Sequence, residues 1–238
     1  MLSVYNGIMV IDENRNPTQA SLADEVLRRL EASYGRPAWE AVHSPLEELV
    51  LTILSQHTSD ANCERAFASL RHAFPTWDQV ATASDEQIAD AIRGGGLAKV
   101  KAPRIKMVVT QVLSTHALDD LDSLTLSDAK SRLRSLPGVG PKTAACVLLF
   151  ACGRPALPVD THVYRVSRRI GLIDTTVSAE QAHDQLEPLL NECDVYSFHM
   201  NMILHGRTIC RARSPRCTEC SVVDLCDFAT HGEQAVAS

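Results

Sequence analysis

The chain has 238 residues, of which 45% are apolar and 22% charged, and its formal net charge is −6. This is the composition of a globular protein of one large or two small domains, which excludes a disordered polyelectrolyte and argues against indiscriminate nucleic-acid binding. No apolar run approaches a membrane span, and MLSVYNGIMVIDENRNP lacks the basic start and long apolar core of a signal peptide, so a cytoplasmic protein with no membrane partner is expected.

Nearly every periodic segment has helical spacing. SLADEVLRRLEASYG places Leu22, Val26, Leu27 and Leu30 on one face and stops at Gly35. Ser44 and Glu47, with Pro45 between them, form a capping box that opens PLEELVLTILSQ. A helix over SDANCERAFASLRHAF follows, and then Ser84 with Gln87 opens SDEQIADAIR, which Gly94, Gly95 and Gly96 close. AKVKAPRIKMVVTQVLSTHA comes next, with Pro103 expected in its first turn. SDAKSRLRSL leads into a Pro-Gly-Val-Gly turn, and PKTAACVLLFAC leaves it and ends at Gly153. Beyond a proline-bearing link come THVYRVSRRIGL, SAEQAHDQLEPLLNEC and VYSFHMNMILHGR. No stretch alternates as a strand does, so the predicted class is all-α, with about ten helices.

The charge is unevenly spread. Residues 1–48 are acidic overall, whereas Lys99, Lys101, Arg104 and Lys106 form a basic group without an intervening acid. Arg165, Arg168 and Arg169 form another, and Arg207, Arg211, Arg213 and Arg216 a third. Such groups either meet phosphate or are solvated faces.

Cys210, Cys217, Cys220 and Cys226 are spaced C-x6-C-x2-C-x5-C. Four thiolates this close suit one tetrahedral metal or a cubane cluster, and ligand type alone leaves zinc and iron–sulfur both open. Cys63, Cys146, Cys152 and Cys193 lie in helical apolar patterns and are expected to be small core residues.

The stretch from Leu136 to His162 carries a different chemistry. A turn of Gly138, Val139 and Gly140 between two helices aims backbone N–H groups outward, a shape that suits a phosphate. Lys142 falls in the first turn of the following helix, where the helix dipole disfavours an ammonium, so its amine is a candidate nucleophile. Asp160 follows eighteen positions later. The plainer alternatives are a simple turn, a solvated lysine and a helix-capping aspartate.

These motifs, with LSQHTSDAN, GGLAKVKA, LPGVGPKTA, VDTH, ILHGR and the cysteine loop in this order between Ser44 and Asp227, resemble endonuclease III, a helix-hairpin-helix DNA glycosylase with a [4Fe-4S] cluster. The resemblance implies a two-domain helical fold with DNA bound in the cleft between the domains. After an N-terminal tail over residues 1–17, a six-helix barrel over 43–154 carries the hairpin, and residues 18–42 with 155–238 form the cluster domain. It implies that Lys142 is the catalytic lysine and Asp160 the catalytic aspartate, and that Cys210, Cys217, Cys220 and Cys226 hold the cluster. Gln56 would fill the gap left by a flipped base and Leu97 would wedge into the opposite strand. Gly138, Val139, Gly140, Lys99, Lys101 and His162 would make further DNA contacts.

The implied activity is that of a bifunctional glycosylase and AP lyase, excising oxidised pyrimidines from duplex DNA as a monomer. The expected partner is double-stranded DNA containing damaged bases or abasic sites, at the nucleoid within the cytoplasm. Two departures leave the lesion open. The family's Tyr-Asn after the wedge is Ala98-Lys99 here, and its Q-A-T-D is Gln56-His57-Thr58-Ser59, with an acid only at Asp60. The other readings are a monofunctional glycosylase for alkylated or mismatched bases, and a non-catalytic iron–sulfur DNA-binding protein.

Overall fold

The structure, a computed structural model, describes residues 17–232, and all regular structure among them is helical. In chain order the first helices are α1 (Pro17–Tyr34), α2 (Pro45–Ser55), α3 (Asp60–Ala73), α4 (Trp77–Thr82), α5 (Asp85–Ala91) and α6 (Ala98–Thr115). They are followed by α7 (Leu126–Arg134), α8 (Pro141–Cys146), α9 (Thr161–Ile170), α10 (Ala182–Leu186), α11 (Val195–Thr208) and α12 (Asp227–His231). The chain forms two compact units, one over Pro37–Asp160 and the other from the stretch up to Arg36 together with that from Thr161 onward. The expected domain limits lay near residues 42 and 154. The expected tail over residues 1–17, apart from Pro17, lies outside the described residues.

In the unit Pro37–Asp160 the central element is α2, which packs against α3, α6 and α8. Its apolar positions Leu49, Val50, Ile53 and Leu54 are all buried, because they recur at helical spacing on the faces turned to those neighbours. The capping box forms as expected: the Ser44 N–H donates to Glu47 Oε2 at 2.9 Å, and the Glu47 N–H donates to Ser44 Oγ at 3.4 Å. Ser84 with Gln87 caps α5 in the same way. A third box, Thr76 with Gln79, opens α4, an element the periodicity did not reveal because it has only six residues. Pro103 stands in the second turn of α6 rather than the first, since that helix begins at Ala98.

The helix leaving the hairpin differs from expectation. Only Pro141–Cys146 is α-helical, and Val147–Ala151 widens into a π turn. The Trp39 indole N–H donates to the Leu149 carbonyl at 2.7 Å, giving that turn a donor from outside its own ladder. The same ring lies over Gly153, where any Cβ would stand 3.0 Å from it and φ is +64°. The chain then runs without helix through the buried Ala156, Leu157 and Val159 to Asp160, and Arg154 anchors its start by donating to the Leu121 carbonyl at 2.7 Å.

In the other unit α11 packs against both α1 and α9. Ala23, Val26 and Leu30 from α1 and Phe198 and Met202 from α11 are fully buried. The expected helix SAEQAHDQLEPLLNEC is instead α10 followed by short 3₁₀ turns at Glu187–Leu189 and Glu192–Asp194. Pro188, which has no N–H to donate, accounts for the break. Arg36 bridges Glu31 at 2.9 Å and Asp194 at 2.7 Å, tying the end of α1 to the start of α11.

Replacing Trp39 with Phe keeps the ring over Gly153 but strands the Leu149 carbonyl. The expected cost is about 1–3 kcal/mol, visible as a lowered thermal midpoint. An unchanged midpoint would show that the bond contributes nothing.

Candidate functional site

The hairpin between α7 and α8 is built as its sequence demands. Gly138 has φ +75°, a conformation open to glycine, and a Cβ at either Gly138 or Gly140 would meet nothing within 4 Å. Both glycines are exposed. Gly140 caps α8 with extended backbone and Pro141 takes the first helical position, so Lys142 stands in the first turn. Val139 departs from its expected role: its side chain is only 6% exposed and its N–H donates to the Leu136 carbonyl at 3.2 Å. It therefore anchors the hairpin in the core and offers its amide to the turn rather than to DNA.

Lys142 is half-buried and faces a polar cluster that the sequence did not disclose. Its ammonium acts electrostatically on the Glu48 carboxyl of α2 and on the Cys146 thiol one turn on. Thr52 donates to Glu48 Oε1 at 3.3 Å. Burial pushes the Glu48 carboxyl up to about 7, against the opposing effects of the Thr52 bond and the Lys142 charge. Burial likewise raises the Cys146 and Cys63 thiols, which also feel this carboxylate. Glu48 was hidden in the sequence because it directly follows the capping Glu47; its spacing of four from Thr52 was the available signal.

Two loops of the same unit present the expected DNA-contacting residues. Gln56 is the half-buried C-cap of α2, and its neighbour His57 is exposed with φ +54°. Leu97 caps α6 with φ +50° and is 54% exposed, an uncovered apolar side chain of the kind a wedge requires. Lys99 is exposed in the first turn of α6. Lys101 corrects the expectation. It is 2% exposed, and its Nζ donates to the Leu54 carbonyl at 2.7 Å and the Gly95 carbonyl at 2.8 Å, so it points inward rather than to a phosphate. The unit Pro37–Asp160 thus holds Gln56, Leu97, Lys99, the hairpin, Lys142 and Asp160, whereas His162 belongs to the other unit. There His162 is half-buried, with Nδ1 3.1 Å from the Arg165 guanidinium and its ring against Gly206.

The four C-terminal cysteines line one pocket with Val166, Ile170, Val222 and Phe228. All four are free of disulfides. Arg169 donates to Cys210 Sγ at 3.4 Å and to the carbonyls of Arg211 at 2.7 Å and Ala212 at 3.1 Å. Arg165 donates to the carbonyls of Cys210 and Gly206. These two arginines are therefore struts of the cysteine loop and not part of a solvated basic face. His205 Nε2 lies 3.5 Å from Cys220 Sγ, and its Nδ1 is 2.9 Å from the Tyr34 hydroxyl.

Burial pushes the Cys220 thiol up to about 11 and raises Cys226 as well. Such an apolar pocket disfavours free thiolates and makes sense when a metal group neutralises them. Four cysteines lining one pocket, with an arginine donating to Cys210 Sγ, are a donor set that fits a [4Fe-4S] cluster, which takes one thiolate per iron.

An all-helical unit with a glycine hairpin and a helix-terminal lysine, accompanied by a four-cysteine centre, defines the class of iron–sulfur DNA-repair glycosylases. Residues 50–192 match the family described as HhH-GPD superfamily base excision DNA repair protein, and residues 210–226 match the iron-sulfur binding domain of endonuclease III. Endonuclease III of Thermotoga maritima is 34% identical over 87% of this chain and 91% of that protein. The enzyme of Escherichia coli is 32% identical over 86% of this chain and 94% of that protein. A candidate DNA glycosylase of Arabidopsis thaliana is 36% identical, and there the chain spans 62% of the relative's length. Among solved structures, a trapped endonuclease III–DNA covalent intermediate superposes with a TM-score of 0.77 at 28% identity, covering 89% of this chain and 97% of that one. The chain belongs to the endonuclease III family of base-excision DNA glycosylases, and its cofactor is a [4Fe-4S] cluster.

The raised Glu48 carboxyl gives a pH signature with a definite sign. Between its ordinary value of 4.5 and about 7 the folded chain holds a proton there that the unfolded chain has released, so this group lowers stability as pH rises through that window. Glu48→Gln removes the liability. Its thermal midpoint relative to the natural chain should therefore rise from about pH 4.5 to about pH 7 and then level off. A difference that stays flat over that range would contradict the burial of this carboxyl.

Proposed function

We propose that this glycosylase is bifunctional, excising oxidised pyrimidines from duplex DNA through a Schiff base at Lys142 and then nicking the strand by β-elimination. The observation that carries this reading is Lys142 in the first turn of α8, next to exposed hairpin glycines and in the same unit as Asp160. The similarity to an endonuclease III trapped as a covalent DNA intermediate supports it.

In this reading the amides at Gly138 and Gly140 grip a backbone phosphate, and Lys99 offers a further positive charge from the first turn of α6. The damaged nucleotide leaves the stack at a cost of a few kcal/mol. Leu97 and Gln56 occupy the space it leaves. The Lys142 amine attacks C1′ as the glycosidic bond breaks with its electron pair departing on the base, and the proton the amine gives up goes to that base. Asp160 stabilises the cationic character that develops at the sugar. Opening of the sugar ring gives the Schiff base, and loss of a C2′ proton expels the 3′ phosphate. Cys210, Cys217, Cys220 and Cys226 would hold the [4Fe-4S] cluster, which supplies the cross-link that orders their loop when bound. The protein works as a monomer on double-stranded DNA with damaged bases or abasic sites, in the cytoplasm at the nucleoid.

Borohydride added during turnover should trap a covalent complex with DNA containing an oxidised pyrimidine, and Lys142→Ala should abolish it. Asp160→Asn should slow base release by roughly two to four orders of magnitude. Base release without any trapped adduct would identify a monofunctional enzyme instead. Binding should weaken steeply with salt as phosphate contacts release counterions, and affinity that ignores salt would overturn the hairpin's proposed grip.

A further inference from the structure

The Lys101 ammonium is buried without a carboxylate partner in its hydrogen bonds, an arrangement that a core does not need for filling space. An apolar side chain of similar length would fill the volume without desolvating a charge. The position of its two acceptors explains its presence. Leu54 O belongs to the last turn of α2, where carbonyls lack helical donors and the dipole is negative. Gly95 O belongs to the turn that precedes α6.

Each acceptor stands just before an exposed residue in the left-handed region. His57 follows Leu54 by three positions at φ +54°, and Leu97 follows Gly95 by two at φ +50°. Residues other than glycine keep such a conformation only where their surroundings over-determine it. The surroundings do so here. Gly95 is pressed against Ala66, so that a Cβ there would stand 2.9 Å from Ala66 Cβ, and Gly96 faces the His57 carbonyl at 3.9 Å from its own Cβ position. The two loops abut, and one buried cation joins their roots.

We infer that Lys101 is a positioning residue: it clamps the loop of Gln56 and His57 to the loop of Leu97, so that both side chains are preset to enter a duplex together. The inference rests on the proposed wedge role of Leu97. Lys101 acts on no reacting atom. It sets the geometry of opening the duplex and leaves the chemistry at Lys142 to that residue's own surroundings.

The test uses the cluster-loaded protein with two probes: a duplex carrying one oxidised pyrimidine, and a single-stranded oligonucleotide with an abasic site, which needs no base to be flipped. Lys101→Met should lower the ratio of duplex excision to single-strand adduct formation by roughly tenfold to a hundredfold. Leu97→Ala should cut duplex excision by a similar factor, and the double variant should be no worse than Leu97→Ala alone. If Leu97→Ala leaves duplex excision intact, the wedge assignment itself falls. If Leu97→Ala is defective while Lys101→Met keeps the natural ratio, or if the two losses multiply, the clamp is overturned and the wedge stands. Should Lys101→Met not fold, Gly96→Ala strains the same loop from outside the core (φ +68°) and should lower the ratio likewise. A natural ratio in that variant also overturns the clamp.

Discussion

Helix α2 has its interior face buried against three neighbours, and its packing against α8 decides where Lys142 stands. Its first turn is closed by Ser44 and Glu47, its middle presents Glu48 and Thr52 toward the lysine, and its last turn yields a carbonyl to Lys101. A rigid helix transmits position along its length at 1.5 Å per residue without adding freedom of its own. Lys142 and the loop of Gln56 are therefore referenced to one element rather than to each other. That economy places strain-bearing loops on a scaffold whose core residues are fully enclosed.

The cysteine centre obeys a different constraint. Burial raises the Cys220 and Cys226 thiols, so as acids these two are reluctant to ionise, whereas in the proposed cluster site they would bind as thiolates. Arg169 and Arg165 tie the loop's carbonyls, and Arg169 brings positive charge against Cys210 Sγ. The loop contains only short 3₁₀ turns, at Cys217–Glu219 and Val223–Leu225, so these arginines hold carbonyls that no longer helix satisfies.

Much of this was legible in the sequence, for physical reasons that differ by element. The capping boxes at Ser44 and Ser84 were legible because a short polar side chain and an acid or amide three positions later act locally. The hairpin and the cysteine loop were legible because their chemistry depends on fixed spacings. Lys101 was misread because a basic run near a DNA-binding motif looks the same whether a given ammonium points out or in, and only the third dimension shows that the fourth residue of α6 faces the end of α2. Val139 was misread for a similar reason, since turn residues alternate between exposure and anchoring. Glu48 went unseen because its partner Lys142 is 94 positions away in the chain.

The π turn at Val147–Ala151 carries one residue more per turn than the α-helix it interrupts. It lies on the single path between Lys142 and Asp160, and so it counts chain. Wound as an ordinary α-helix, the same residues would rotate everything downstream by about 100°, turning buried Leu157 and Val159 away from their places and Asp160 to another face. This stretch of five residues behaves as a gauge whose length and winding must change together. The indole of Trp39, resting on Gly153 and bonded to Leu149, is the pin that keeps the gauge at its setting.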